Sequence, residues 1–146
     1  MRGEFQNYIG LENIESNTGQ LVNFSETSGD GIKSNKFQFT KEHILYGKLR
    51  PYLNKVYLPN FTGVCSTDII PIKPDSNLLT REFLGYFLRT PEFVNTINTK
   101  ATGANLPRVY PNTLLEVSVP LPPLDLQRKI VAILDKAEAT QRLRAE

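Results

Sequence analysis

The stretch ILYGKLRPYLNKVYLP, residues 44–59, decides how the rest of the chain is read. At a period of two it places Leu45, Leu49 and Leu53 on one side and Tyr46, Lys48, Arg50, Tyr52 and Asn54 on the other. The first side reads as core and the second as a binding surface. Pro51 has no N–H to give to a ladder, so the stretch predicts an edge strand or two short pieces meeting at a bend. Lys55 falls on the opposite side by parity and is the weaker candidate.

Working outward, charge is distributed unevenly. No acid stands between Glu42 and Asp68, where Lys48, Arg50 and Lys55 lie, and none between Glu92 and Glu116, where Lys100 and Arg108 lie. The second window contains the loop KATGANLPRVY, which adds Thr102, Asn105 and Tyr110, with Gly103 permitting close backbone approach. Cations suit phosphates, and amides and aromatic rings suit base edges and base faces. Both windows flank apolar segments that can share a core, which predicts one positive surface formed by Lys48, Arg50, Lys100 and Arg108. A solvated face explains the same gaps, and for Arg50 and Arg108 so do salt bridges or bonds to loop carbonyls.

The formal net charge of +2 is too small to imply nucleic acid by itself. With 146 residues, 40% hydrophobic and 22% charged, the chain fits one globular domain. Cys65 is the only cysteine, which excludes an intramolecular disulfide and favours a cytoplasmic setting. The start MRGEFQNYIG has no apolar signal region, and no run approaches the roughly 20 apolar residues of a membrane span. One histidine and one cysteine leave no zinc spacing, and neither a Walker loop nor a dinucleotide fingerprint is present. The one enzymatic constellation is a thiol–imidazole pair of Cys65 and His43 oriented by Asp68, against which stands the apolar run around Cys65.

Elsewhere, YIGLENIESNTGQLV reads as a short strand or turn region followed by a loop, ETSGDGIKSN, and KFQFT as a strand. FTGVCSTDIIPIKP predicts one buried strand ending at Pro71 or Pro74. Two helices follow, the first capped by Thr80 and the second by Thr90 with Pro91 at its first position. LLEVSVPLPP predicts a short strand stopped by prolines. The last segment is a helix whose stripe of Leu126, Ile130, Ile133, Leu134 and Ala137 needs cover, while EATQRLRAE is too polar to supply it.

Three segments together resemble the specificity subunit of type I restriction–modification systems. They are ILYGKLRPYLNKVYLPNFTGVCSTDIIPIKP, TGANLPRVYPNTLLEVSVPLPPLDLQRKIVAILDKAE and, more weakly, YIGLENIESNTGQL. The loop with Thr102, Gly103, Asn105 and Arg108, followed by Pro120, Pro122, Pro123, Leu124, Gln127, Ile130 and Leu134, looks like that family's exit from a recognition domain into a long helix. The resemblance implies an α/β (α+β) target recognition domain over residues 1–123, with a mixed sheet and short helices. The start of a spacer or dimerisation helix follows over 124–146. It implies a non-catalytic, cofactor-free module that reads one half of a bipartite DNA sequence for a separate methyltransferase subunit, with a restriction subunit and helix-mediated self-association as further partners. Family members usually hold two such domains, so the chain is expected to be a fragment, a half-length subunit or a recombination product, incomplete at its amino terminus. The alternative is an assembly or regulatory fragment that pairs through its last helix and does not bind DNA.

Overall fold

Ile44, Leu45, Tyr46 and Gly47 form a strand in which every residue is buried, and the fold is built on both of its faces. The computed structural model describes residues 5–24, 27–28, 36–103 and 106–145. Its strands are β1 (Phe5–Gln6), β2 (Tyr8–Ile9), β3 (Thr27–Ser28), β4 (Lys36–Phe39), β5 (Ile44–Gly47), β6 (Val56–Tyr57), β7 (Gly63–Ser66) and β8 (Ile69–Ile72). Its helices are α1 (Arg81–Leu88), α2 (Pro91–Lys100), α3 (Pro111–Leu115) and α4 (Leu124–Ala145).

Two three-stranded sheets carry the structure. In one, β7 lies between β2, which runs parallel to it, and β4, which runs antiparallel; in the other, β5 lies between β6 and β8, antiparallel to both. β1 and β3 form a separate antiparallel pair. The expected α+β class with a mixed sheet and short helices is the architecture found.

Alternation along β5 divides the interior in two. Ile44 and Tyr46 face a cluster with Val56, Leu84, Leu88, Phe93, Ile97 and Val109. Leu45 faces the other way, among Ile9, Ile14, Phe39, Cys65 and Ile69. At about 2 kcal/mol for each large apolar side chain removed from water, both faces contribute to stability. The reading of this strand as half core and half binding surface is therefore corrected: a strand flanked on both edges and packed on both faces has no free side.

The bend expected at Pro51 is present. Pro51–Leu53 forms a short 3₁₀ turn between Arg50 and Asn54, both left-handed (φ 52° and 54°), and the chain returns as β6. Two left-handed residues break strand parity, which is why Asn54 is buried and Tyr52 is 50% exposed although strict alternation predicts one side for both.

Three further expectations change. Residues 63–72 make two strands in different sheets, separated by a turn, rather than one. Pro71 sits within β8 opposite Leu45, tolerated because β8 is the outer strand of its sheet. The strand predicted at the start of LLEVSVPLPP is replaced by α3, which Pro111 opens at its first turn, and by an extended segment that pairs with no strand among the described residues. Most of the expected loop ETSGDGIKSN lies outside the described residues.

The helix caps are as predicted: the Phe83 N–H donates to Thr80 Oγ1 at 3.1 Å and the Phe93 N–H to Thr90 Oγ1 at 3.2 Å. Leu84 and Leu88 of α1 and Phe93 and Ile97 of α2 close the first core, where Tyr46 and Phe93 meet edge to face with centroids 6.3 Å apart. α4 lies along α1. Its anchor is Gln127, fully buried, which accepts from the Thr80 N–H and donates to the carbonyls of Leu78 and Pro122, each at 2.8 Å.

Candidate nucleic-acid interface

Beyond β5 the chain changes partners. The Lys48 N–H donates to the Asp68 carbonyl (3.0 Å), the Val109 N–H to the Lys48 carbonyl (2.9 Å), and the Arg50 N–H to the Pro107 carbonyl (2.6 Å). Arg108 and Thr102 exchange both backbone bonds, at 2.9 and 3.1 Å. Arg108 is thus bridged to Leu49 on one side and Thr102 on the other, making a three-segment ribbon from two regions distant in sequence. Gly103 (φ +106°) turns the outermost segment, where a Cβ would press on the Leu106 carbonyl. Only glycine adopts that conformation without strain.

The ribbon brings Lys48, Arg50, Thr102 and Arg108 together. Lys100, the last residue of α2, lies two positions before Thr102. Directly paired residues share a face, so Arg108 lies with Leu49 and Thr102, and by alternation Lys48 lies with Val109. The cations therefore share a ribbon rather than one strand face. Arg50, Lys100, Thr102, Tyr52 and Tyr110 are exposed, and Lys48 and Arg108 are half-buried. Asn105 lies outside the described residues.

The ribbon's cations stand apart from the ion pairs of the fold, as do several surface cations such as Lys41, Lys129 and Lys136. Among the described residues, salt bridges join Lys73 to Glu42, Arg81 to Glu82, Arg89 to Glu138 and Arg128 to Asp125. None involves Lys48, Arg50, Lys100 or Arg108. Two other arginines are tied to the fold through loop carbonyls. Arg81 donates to the carbonyls of His43 and Pro59, and Arg89 to those of Asn17 and Thr18. Neither stood out in the sequence, where a carbonyl-binding arginine has no distinguishing neighbour.

Two of the expected contact residues are interior ones. Tyr46 is 3% exposed, and burial raises its hydroxyl pKa well above the ordinary value, keeping it neutral in the core. Asn54 is engaged with Asn17 and the Arg89 carbonyl. Lys55 is also committed, its Nζ donating to the Leu11 carbonyl at 2.7 Å. The thiol–imidazole constellation does not form. Cys65 is fully buried with its pKa pushed up to about 12 by desolvation, while His43 Nδ1 accepts from the Thr40 N–H at 3.0 Å. Burial, followed by the nearby Lys73 charge, lowers the His43 pKa. No group of three or more His, Cys, Asp or Glu side chains among the described residues could hold a metal ion.

The stripe expected on α4 is divided as well. Ile130, Leu134 and the more exposed Ala137 line a groove against Phe83, Tyr86 and Phe87 of α1, whereas Leu126 and Ile133 are 45% and 68% exposed. Tyr86 donates to Asp135 and Glu138 on the same helix, and burial together with the Asp135 bond raises its hydroxyl pKa. No helix among the described residues is long and apolar enough to cross a membrane.

A family model described as the type I restriction modification DNA specificity domain matches residues 3–146. The type I restriction enzyme EcoDI specificity subunit of Escherichia coli is 35% identical over 85% of this chain and 27% of its own length. A putative type I specificity subunit of Mycoplasma pneumoniae is 26% identical over 94% of this chain and 38% of its own. Among solved structures, the HsdS subunit from Thermoanaerobacter tengcongensis superposes with a TM-score of 0.80 at 28% identity, over 97% of this chain and 39% of that one. A chain from a study of complex assembly and conformational transition of the type I R-M system gives 0.82 at 26% identity, with the same coverage. The chain spans well under half the length of each of these relatives.

Proposed function

Because the chain belongs to the type I restriction modification DNA specificity family, we propose that it reads one half of a bipartite DNA sequence through the ribbon of residues 48–50, 102 and 107–109. It directs a separate methyltransferase subunit, and with it a restriction subunit, and performs no chemical step itself. The observation that carries this reading is the backbone ladder that joins residues 48–50, 102 and 107–109, which gathers Lys48, Arg50 and Arg108, none in a salt bridge among the described residues, on one ribbon with Lys100 at the end of the helix that leads into it. Phosphates supply the missing charge. Tyr52, Thr102 and Tyr110, exposed beside these cations, offer stacking and hydrogen-bonding groups to bases.

Residues 1–123 carry recognition and 124–146 association. Leu126 and Ile133 are exposed on α4 and serve a partner helix or the methyltransferase subunit, while Ile130, Leu134 and Ala137 lie on the side toward α1. The complex works in the cytoplasm, where its DNA is.

The test is the salt dependence of DNA affinity in the assembled methyltransferase complex. Arg50→Ala and Arg108→Ala should each reduce the slope of log affinity against log salt by about one and weaken binding to specific and random duplexes alike. An unchanged slope with a lowered melting temperature would assign both arginines to the fold and overturn the reading.

A further inference from the structure

Arg89 ends α1, and its side chain, 14% exposed, serves three elements at once. One nitrogen donates to the carbonyls of Thr18 (2.9 Å) and Asn17 (3.4 Å), and the other lies 2.8 Å from Glu138 Oε1 on α4. The guanidinium carbon sits 4.9 Å above the Tyr86 ring. A planar fork holds two directions in fixed geometry from two separate nitrogens, whereas a lysine offers three donors from a single nitrogen on a flexible stem.

The Arg89 backbone completes the connection. Its carbonyl accepts from Asn54 Nδ2 at 3.2 Å, and the same nitrogen reaches Asn17 Oδ1 at 3.2 Å. The Asn54 carbonyl accepts from the Asn17 N–H (2.9 Å), the Asn54 N–H donates to Pro51 (3.0 Å), and the Leu53 N–H to Arg50 (2.9 Å). Arg50 in turn donates to Pro107 in the ribbon. Asn17, Arg50 and Asn54 are all left-handed, at φ 70°, 52° and 54°. Each such non-glycine residue costs on the order of 1 kcal/mol and persists where its surroundings over-determine it. Hydrogen bonds, joined by the covalent turn at residues 50–54, therefore connect Glu138 on α4 to the ribbon.

We infer that Arg89 is a positioning residue that fixes the turn at residues 50–54 relative to α4, so that the DNA-facing ribbon and the partner-facing helix are held as one body. Its role in recognition rests on the DNA reading above.

Amide hydrogen exchange on the full chain tests it, comparing wild type with Glu138→Gln, Arg89→Lys and Asn54→Gly. Glu138→Gln is a mild change on a partly exposed helix face, and glycine keeps the left-handed conformation at position 54 while removing the amide bridge. Each variant should speed exchange at Leu53 and Asn54 by about tenfold, with the β5 amides unchanged. Lysine should not rescue arginine. Faster exchange confined to α1 and α4 would overturn the inference, as would acceleration of Leu53, Asn54 and the β5 amides by one common factor, the mark of a merely structural role. The DNA reading fails separately: if Arg50→Ala leaves the salt slope on a random-sequence duplex unchanged, the ribbon is not the interface, whatever the exchange rates do.

Discussion

Arg108 is bridged to Leu49 while its side chain takes part in no salt bridge among the described residues. Its backbone already holds two segments in place, through Leu49 and Thr102, so its guanidinium is not needed for that task. Removing the side chain should therefore cost little stability. Arg108→Ala is expected to melt within about 0.5 kcal/mol of wild type by chemical denaturation, and a larger loss would mean that the side chain holds the fold after all.

Lys48 and Lys55 lie close in sequence and should behave oppositely. Lys48→Ala should flatten the salt dependence of DNA binding by about one unit with little loss of stability. Lys55→Ala removes one of the two donors to the Leu11 carbonyl, which keeps its bond from the Ile14 N–H. It should cost about 1 kcal/mol while the salt slope stays at its wild-type value. Paired denaturation and binding titrations read both effects.

On α4, Leu126→Asp and Ile133→Asp alter exposed positions and should leave the melting temperature of the isolated chain nearly unchanged while abolishing co-purification with the partner. Leu134→Asp places a carboxylate in the groove against α1 and should destabilise the chain itself. Comparable melting temperatures for all three variants would contradict this division of the helix.

Gln127→Met keeps approximate volume but leaves the Thr80 N–H and the carbonyls of Leu78 and Pro122 without their partner. A loss of about 3 kcal/mol is expected in urea unfolding, together with faster amide exchange at the start of α4.

Cys65 provides a pH prediction. Its folded pKa, about 12, lies above the ordinary 9.0, so ionisation is disfavoured in the folded state. The associated stability is complete below pH 9 and falls as pH rises toward 12. Alkylation by iodoacetamide should be negligible in the native protein from pH 7 to 9 and rapid once the chain is unfolded. Rapid native labelling in that range would revive a reactive thiol.

The parts of this fold legible in sequence are those set by local chemistry. Thr80 and Thr90 announce two helices because a cap needs only its own next turn, and Pro51 announces a bend because a missing N–H is a property of one residue. Alternation gives the side of a strand but not how many sides are covered, which is why Tyr46 lies in the core. Asn54 departs from alternation because the 3₁₀ turn between two left-handed residues resets parity. The strand predicted at LLEVSVPLPP failed when Pro111, a good first helical residue, began a helix instead. The sequence offers the ribbon as two acid-free windows beside apolar segments that can share a core; the register in which they meet, with Leu49 opposite Arg108, is encoded by no local pattern. Arg81, Arg89 and Gln127 act through distant carbonyls, so sequence spacing could not reveal their partners.

Pro71 bears on self-assembly. An outer strand with a full row of N–H groups is a template on which a strand from another molecule can polymerise. β8 is four residues long and one of its residues has no N–H to offer, so its rim is a poor seed for edge-to-edge growth. Replacing that proline with valine would restore the donor and, by this reasoning, make the protein more prone to fibrous aggregation at high concentration without disturbing its folded core.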